Sequence, residues 1–504
     1  MLLFALVVLL SSLLCWWLRK TFTFWDKQDI AHLTFWQHMR YCIDLYTKPL
    51  KEVIIKYYNQ NGRLYGSYQG TVPTLVVGDP DILREILVTK FKNFSDRSEA
   101  QRIGSAIWCN SMLNLSGEDW KRVRNIFTPA LTASKLKTIV MKVLTVAEKM
   151  VSRIEAVAAD NKSVNMSELA EHISMDTAAA LNYSLDLDSE KDRDHPLVKI
   201  SQCHLHKECW LAGCHVVSDA QDLQGLKPNY PPKANIDIFK AFVSHLVQER
   251  ESKTKKEDDF LQLYLDAEYQ SEIAEDGKQS RDERREMTLD GITGHGIVFF
   301  IGGVEGNMMA VTMTAYYLAL HPHLQDRVLE EVDKVVSEGG ITYDTLQRMP
   351  FLEACLKEAL RLETHDAIYT RLCTEETTVA GICFKPGMCV DIPLAGIHHD
   401  AEYFPEPEKF NPERFLPENK DCVRPFTYMP FGVGPRNCVA MRLGLLQAKA
   451  SLACLFRSVR LETCPETMVP LKCKPRVLLH SMNGPVVLRP VLRHTSTKKF
   501  IGTI

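Results

Sequence analysis

The most constraining stretch of the chain is Phe431-Gly432-Val433-Gly434-Pro435-Arg436-Asn437-Cys438. Its two glycines and its proline predict a loop, because these residues cannot continue a helix or a central strand. An apolar segment without proline follows, from Val439 to Leu446. We expect this segment to form a helix that begins at or beside Cys438.

Cys438 lies where the ionised form of a thiol is favoured. Free N–H groups and the dipole at a helix N-terminus stabilise a thiolate, and Arg436 adds positive charge nearby. A thiolate held in this way suits an axial ligand of haem iron, to which it donates electron density that favours O–O cleavage. The alternative is a Gly/Pro turn that holds a buried, unreactive cysteine.

Composition limits the class of protein. The chain has 504 residues, 45% of them hydrophobic and 24% charged, which is sufficient for a large globular core. Its net charge of −3 gives no basic excess, so we predict no nucleic-acid partner. The fifteen cysteines are odd in number and irregularly spaced, which favours free thiols in a reducing compartment.

The first 20 residues predict a transmembrane anchor. Leu2 to Leu18 is an apolar run that would form a helix of about 26 Å, close to the shortest span of a bilayer. Trp16 and Trp17 suit the membrane interface, and the basic pair that follows predicts a cytosolic C-terminal side. A cleaved signal peptide is the alternative, but neither a charged leading region nor a clear cleavage site is present.

The rest of the sequence predicts one mainly α domain with small β elements, residues 61–504, after a juxtamembrane connector at 21–60. A strand pair is expected within 64–77, followed by a helix with Asp79 as its cap and Pro80 at its first position. Residues 377–392 alternate as β structure does. The polar segment 251–288 predicts a solvated connection. Cysteines and histidines at 203–215 match no standard zinc spacing.

Residues 289–320 run for 32 positions without proline and are apolar on nearly all sides. This pattern predicts a long buried helix, with a second membrane span as the alternative. Glu305, His295 and six glycines argue against the span. Clustered glycines in a buried helix predict that a flat or bulky group approaches the backbone.

Four motifs, taken in their order along the chain, resemble those of the cytochrome P450 family of haem-thiolate enzymes. The resemblance extends over nearly the whole chain. The nearest likeness is to the animal microsomal branch that holds drug-metabolising enzymes and thromboxane synthase. The motifs are Trp120-Lys121-Arg122-Val123-Arg124, Glu358-Ala359-Leu360-Arg361, Pro412-Glu413-Arg414-Phe415 and the loop that ends at Cys438.

The resemblance implies the cytochrome P450 fold behind an N-terminal membrane anchor, and haem b with Cys438 as its iron ligand. Phe431 would pack against the ligand sulfur. It implies that the residues reaching the haem propionates are Arg97, Trp120, Arg124, Arg371 and Arg436. Glu358 would form a buried structural ion pair with Arg361, and Arg414 would lie beside this pair as a further partner of the carboxylate.

The sequence departs from the family pattern where the long helix should cross the iron. The family has a Thr or Ser after the acidic residue, but Gly306 follows Glu305 here. That hydroxyl helps to deliver protons to bound oxygen in members that activate O2. A second departure is Leu362-Glu363-Thr364-His365-Asp366, which lacks the usual prolines and predicts polar groups from Asp366 to Thr370 on the substrate side.

The resemblance implies a monooxygenase that inserts one oxygen atom from O2 into an apolar small molecule. NADPH-cytochrome P450 reductase would supply electrons, with Lys121 and Arg122 at its docking face and cytochrome b5 as a second partner. Glu305, with waters, is the candidate proton route. The domain would lie on the cytosolic side of the endoplasmic reticulum membrane. Two alternatives stay open: an isomerase or dehydratase of endoperoxides or hydroperoxides, and a haem-dependent ligand-binding protein without turnover.

Overall fold

The structure is a computed structural model that describes residues 6, 9, 12–13, 16–18, 20–97, 105–205, 232–252, 256–273, 288–475 and 482–493. The described residues among the first 22 are helical up to Phe22. Residues 253–255 and 274–287 of the predicted solvated connection, and most of the Cys/His cluster at 203–215, lie outside the described residues. The prediction of a solvated segment is wrong for Phe260–Ile273, which forms a helix with Phe260, Leu261 and Tyr264 buried in the core.

Helices dominate the described chain, as predicted. Numbered in chain order, the α-helices are α1 (Phe35–Thr47), α2 (Leu50–Asn61), α3 (Pro80–Arg84), α4 (Ala106–Cys109), α5 (Gly117–Phe127), α6 (Ala133–Ala159), α7 (Met166–Tyr183), α8 (Pro196–Leu205), α9 (Lys233–Ser252), α10 (Phe260–Ile273), α11 (Leu289–Leu320), α12 (Pro322–Ser337), α13 (Tyr343–Leu346), α14 (Pro350–Leu362), α15 (Leu394–His398) and α16 (Met441–Ser458).

In the described part of the chain, nine short strands form three small sheets. They are β1 (Leu64–Gln69), β2 (Val72–Val77), β3 (Val164–Asn165), β4 (Tyr369–Leu372), β5 (Thr377–Val379), β6 (Ile382–Phe384), β7 (Cys389–Ile392), β8 (Val459–Glu462) and β9 (Val487–Leu492). The largest sheet has the order β1-β2-β7-β4, in which β2 and β7 are parallel and the other pairs antiparallel. The other sheets have the orders β3-β9-β8 and β5-β6.

The predicted strand pair within 64–77 is confirmed as β1 and β2, with Leu64 opposite Val77. Asp79 caps α3 as predicted, because its side chain accepts hydrogen bonds from the two N–H groups after Pro80. The segment before β1 packs on the same sheet. Trp25 is fully buried, and its indole N–H donates to the carbonyl of Ser67 over 2.8 Å.

Helix α11 is confirmed as a core helix with the predicted bounds. Its N-cap Thr288 accepts a hydrogen bond from the N–H of Gly291, and its sides pack against α7, α14 and α16. Among the described residues it is the one helix long and apolar enough to cross a membrane, but 67% of its most apolar window is buried inside the protein.

The glycines of α11 serve two purposes, of which the sequence predicted only one. A Cβ at Gly294 would lie 2.3 Å from the carbonyl oxygen of Ile107, so α4 requires this glycine. Gly302 and Gly306 differ, because a Cβ built on either of them meets no atom within 4 Å. Gly302 and Gly306 therefore leave room beside the backbone for a group other than protein, whereas Gly294 does not.

The predicted buried ion pair is confirmed and holds the segment that follows α15. Arg361 donates from Nε and Nη2 to the two carboxylate oxygens of Glu358, over 2.8 and 2.9 Å, and both side chains are fully buried. The same guanidinium donates to the carbonyls of His398 and Pro407. Arg414 completes the group, with its Nε 3.4 Å from Glu358 Oε1.

Candidate active site

One cavity of about 1000 Å³ lies between α11, the loop before β4 and the loop that ends at Cys438. Its size is at the upper end of the usual range for small-molecule sites. All of the predicted site residues line this cavity. They are Arg97, Trp120, Arg124, Glu305, Arg371, Phe431, Arg436 and Cys438.

The cysteine loop, residues 431–438, is held closed by backbone contacts. The N–H of Cys438 donates to the carbonyl of Phe431 over 2.8 Å. Gly434 has a φ of +80°, and a Cβ there would lie 2.2 Å from the carbonyl oxygen of Leu87, so only glycine fits. Tyr369 ties β4 to the start of this loop, because its hydroxyl lies 3.0 Å from the carbonyl oxygen of Pro430.

Two expectations about Cys438 need correction. Helix α16 begins at Met441, three residues later than the earliest predicted start, because a turn intervenes. Burial raises the pKa of the Cys438 thiol, and this outweighs the opposing effects of the Ala440 N–H and of Arg124. The helix terminus alone therefore does not ionise the thiol, although Cys438 is exposed to the cavity. A bound metal ion would displace the proton.

Arg124 and Arg436 are hydrogen bonded to the protein itself. Arg124 donates from its two terminal nitrogens to the backbone and side-chain oxygens of Asn437, over 2.6 and 2.7 Å. Arg436 donates to the carbonyls of Ser95 and Leu115, and its guanidinium stacks 4.2 Å from the ring centre of Trp120. Trp120 thus contacts Arg436 and is buried, whereas its motif alone allowed a surface pair with Arg124.

Arg97 and Arg371 are different, because each has a buried Nε without a hydrogen-bond partner. Burial and the charge of Arg97 lower the pKa of Arg371 to about 9. Burial and the charges of Arg97 and Arg371 lower the pKa of Arg436 to about 9 as well. We call Arg97, Arg124, Arg371 and Arg436 the arginine cluster. Such repulsion between buried cations indicates a site for a bound anion, and a pair of carboxylates would suit it.

The opposite wall of the cavity is formed by α11 and the loop after α14. Glu305 lies on this wall and is 8% exposed, next to the open space at Gly306. The amide of Asn307 donates to Ser174 of α7 over 2.8 Å, so its N–H is used within the protein. We call Glu305, Gly306, His365 and Asp366 the helix side of the cavity.

His365 is the residue on the helix side that the sequence did not single out. Its Nε2 lies 3.6 Å from Glu305 Oε2, and its Nδ1 lies 3.7 Å from Asp366 Oδ1. Burial alone would lower the pKa of His365, but the two carboxylates raise it to about 10. The only signal in the sequence was the run of polar residues where prolines are usual.

Comparison with known proteins places this geometry in a family. The family model described as cytochrome P450 matches residues 31–487. The chain belongs to the cytochrome P450 family. Among its P450 relatives, cytochrome P450 3A41 of Mus musculus is 31% identical over 458 residues, covering 89% of this chain and 88% of that protein. Lithocholate 6-beta-hydroxylase of Mesocricetus auratus is 30% identical, covering 86% of each chain, and cytochrome P450 3A5 of Homo sapiens is 29% identical, covering 86% and 85%.

As a P450, the protein is a monooxygenase with haem as its cofactor and a cysteine thiolate as the iron ligand. The residues present fit that group. A thiol faces the cavity at Cys438, the unpartnered nitrogens of Arg97 and Arg371 suit the two propionates, and the backbone at Gly302 leaves open space on the other side. P450 enzymes take electrons from a redox partner and act on small molecules.

Proposed function

We propose that this P450 inserts one oxygen atom from O2 into an apolar small molecule, with electrons that pass from NADPH through cytochrome P450 reductase. The observation that carries the proposal is the continuity of the cavity, which extends from Cys438 to an apolar wall. Apolar walls with a few polar groups favour apolar ligands. The apolar side chains of this wall belong to α11 or lie next to it, and they are Met112, Leu113, Val298, Phe299, Ile301 and Ile368.

Each site residue has a proposed task. Bound haem, with a thiolate ligand, supplies the activation of O2 and the cleavage of its O–O bond. Cys438 would hold the iron, Phe431 would pack against the sulfur, and Trp120 with the arginine cluster would hold the propionates. Glu305 is the proposed proton carrier on the helix side, acting with waters.

We further propose that the protein is held on the endoplasmic reticulum membrane by residues 1–20, with a connector at 21–60 and the catalytic domain at 61–504 on the cytosolic side. The support is the exposed apolar surface on the described residues of the N-terminal helical segment, which are Leu6, Leu9, Leu13, Trp16 and Trp17. The boundary at residue 61 stays a prediction, because Trp25 already packs on the sheet.

The proposed electron donors are NADPH-cytochrome P450 reductase and, as a second partner, cytochrome b5. Lys121 and Arg122 are exposed on α5, the helix that also carries Arg124. Their positive charge suits an acidic docking protein. Charge reversal at both positions should slow haem reduction and leave the absorption spectrum unchanged.

Gly306 favours a second candidate function, the rearrangement or dehydration of an endoperoxide or hydroperoxide. Such chemistry needs no proton delivery to oxygen, so the hydroxyl missing at this position would be no loss. Against it stands the relative lithocholate 6-beta-hydroxylase, whose name describes a hydroxylation. Retention of Glu305 also favours the monooxygenase.

The deciding experiment is an assay of purified full-length protein with reductase. Lithocholate and NADPH test oxygen insertion, and cumene hydroperoxide without NADPH tests the second candidate. Further apolar compounds are chosen by their shift of the haem absorption band. An oxygenated product that requires NADPH is expected. Product from the hydroperoxide together with no NADPH-dependent oxygenation of any compound would support the second candidate, and haem binding without either product would contradict both.

A further inference from the structure

The helix side of the cavity contains a chain of three ionisable side chains. His365 stands between Glu305 and Asp366, with one ring nitrogen directed at each carboxylate over 3.6 and 3.7 Å. A neutral imidazole has one N–H and one acceptor nitrogen, so it can serve only one carboxylate as a donor. An imidazolium serves both. Both distances are those of an ion pair, and two carboxylates beside one imidazole favour its charged form.

The charges around this chain agree with that form. Glu305 comes from α11, and Asp366 belongs to the same loop as His365. Arg97 is close enough to Asp366 to feel its charge, and Cys438 feels the same carboxylate. Two carboxylates thus flank one histidine, and the charge of Arg97 acts on Asp366, the outer of the two.

The loop that carries His365 is fixed without the prolines usual at this place. Thr364 is almost fully buried, and its hydroxyl donates to the carbonyl of Asp366 over 3.1 Å. The N–H of Ala395 donates to the carbonyl of Ala367 over 3.0 Å. These bonds hold His365 from both sides, so its approach to Glu305 is part of the fold.

Gly306 leaves open the space beside Glu305 that a hydroxyl side chain would fill. One N–H of the Asn307 amide is bound to Ser174 on α7. His365 forms an ion pair with Glu305 on the cavity wall.

We infer that His365 is a positioning residue for Glu305, and that it orients the carboxylate toward the cavity in place of the hydroxyl missing at position 306. The inference rests on the proposed monooxygenase function. The ion pair with His365 limits the rotation of Glu305, so that the carboxylate faces cavity water with which it can exchange a proton. Asp366 fixes the histidine ring from the other side, as carboxylates commonly do for functional histidines.

The first test is a titration that does not depend on turnover. The reduced, carbon-monoxide-bound protein is diamagnetic, and its histidine ring signals can be followed by NMR from pH 5.5 to 9. The signal of His365 is identified as the one absent from His365→Gln. It should stay in the imidazolium position up to pH 8.5, and Glu305→Gln should bring its titration to lower pH.

The second test separates positioning from a structural role. His365→Leu removes the donor, whereas His365→Gln keeps an N–H donor without the charge. We expect hydrogen peroxide released per NADPH to rise roughly tenfold in the leucine variant, the low end for loss of a residue that orients a functional group. The glutamine variant should lie between that value and the native one. Exposed His323→Leu is the matched control.

Both proposals can fail separately. A native His365 signal that titrates near pH 6.5, or a leucine variant that releases no more peroxide than the His323 control, overturns the positioning role. Carbon monoxide spectra establish beforehand that each variant binds haem. If His365→Leu does not fold, the titrations of the native protein and Glu305→Gln decide alone. Absence of any NADPH-dependent product from the native protein would instead overturn the monooxygenase, whatever the titration shows.

Discussion

The two walls of the cavity are built in different ways. The cysteine loop consists of consecutive residues closed on themselves by a bond from Cys438 to Phe431, and its shape is set by glycines at fixed places. The helix side is assembled from a core helix and a distant loop that meet at Glu305 and His365. The first wall follows the family motif closely, and the second departs from it. The local sequence therefore places the proposed iron ligand, whereas the contact between Glu305 and His365 depends on tertiary structure.

The largest effect should come from the cysteine loop. Cys438→Ser replaces a thiolate ligand by a weakly donating hydroxyl, so the thiolate-type absorption of the reduced carbon monoxide complex should disappear, and NADPH-dependent product with it. Exposed Cys422→Ser is the control and should keep both. A serine variant at position 438 that retained the native spectrum would show that iron is bound elsewhere.

A smaller loss is expected from the buried ion pair of Glu358 and Arg361, which holds the segment after α15. Glu358→Gln leaves the Arg361 charge buried without its counterion, which should lower the free energy of unfolding by about 3–5 kcal/mol. Denaturant unfolding followed by circular dichroism measures it. The exposed pair of Glu338 and Arg348 provides the control, because Glu338→Gln should cost less than about 1 kcal/mol. Equal losses in the two variants would contradict the structural role.

The arginine cluster should contribute to haem affinity. Arg371→Gln removes a guanidinium whose Nε has no partner in the protein, so we expect haem to bind roughly tenfold more weakly. Transfer of haem to apomyoglobin measures the change. Arg348→Gln, at an exposed position, should leave the transfer unaffected. No change in Arg371→Gln would remove this residue from the propionate site.

The smallest effect belongs to the helix side. Gly306→Thr places a hydroxyl in open space, so it should fold normally and lower hydrogen peroxide released per NADPH by roughly two- to threefold. The effect is modest because Glu305 and His365 already occupy this wall. Gly306→Val fills the same space without a hydroxyl and should give no improvement. If Gly306→Thr and Gly306→Val lower the release of hydrogen peroxide equally, the empty volume at position 306 limits coupling in the native enzyme, and the missing hydroxyl does not.

The sequence predicted the cysteine loop, the strand pair at β1 and β2, and the bounds of α11, because local spacing determines each of them. The family resemblance also predicted that distant residues, including Arg97 and Arg371, share one site. In the structure these residues line one cavity. The sequence did not predict the contact between Glu305 and His365, which are 60 positions apart and meet only in the fold. The pKa of Cys438 was missed for the same reason, since burial is a property of the whole structure.

One contact described above links the outer surface to the sulfur. Arg124 of α5 holds both oxygens of Asn437, the residue immediately before Cys438. A protein that docked on Lys121 and Arg122 would touch the same helix one turn or less from this guanidinium. With Cys438 as the proposed iron ligand, displacement of α5 by a docked protein would be transmitted through Arg124 and Asn437 to that ligand.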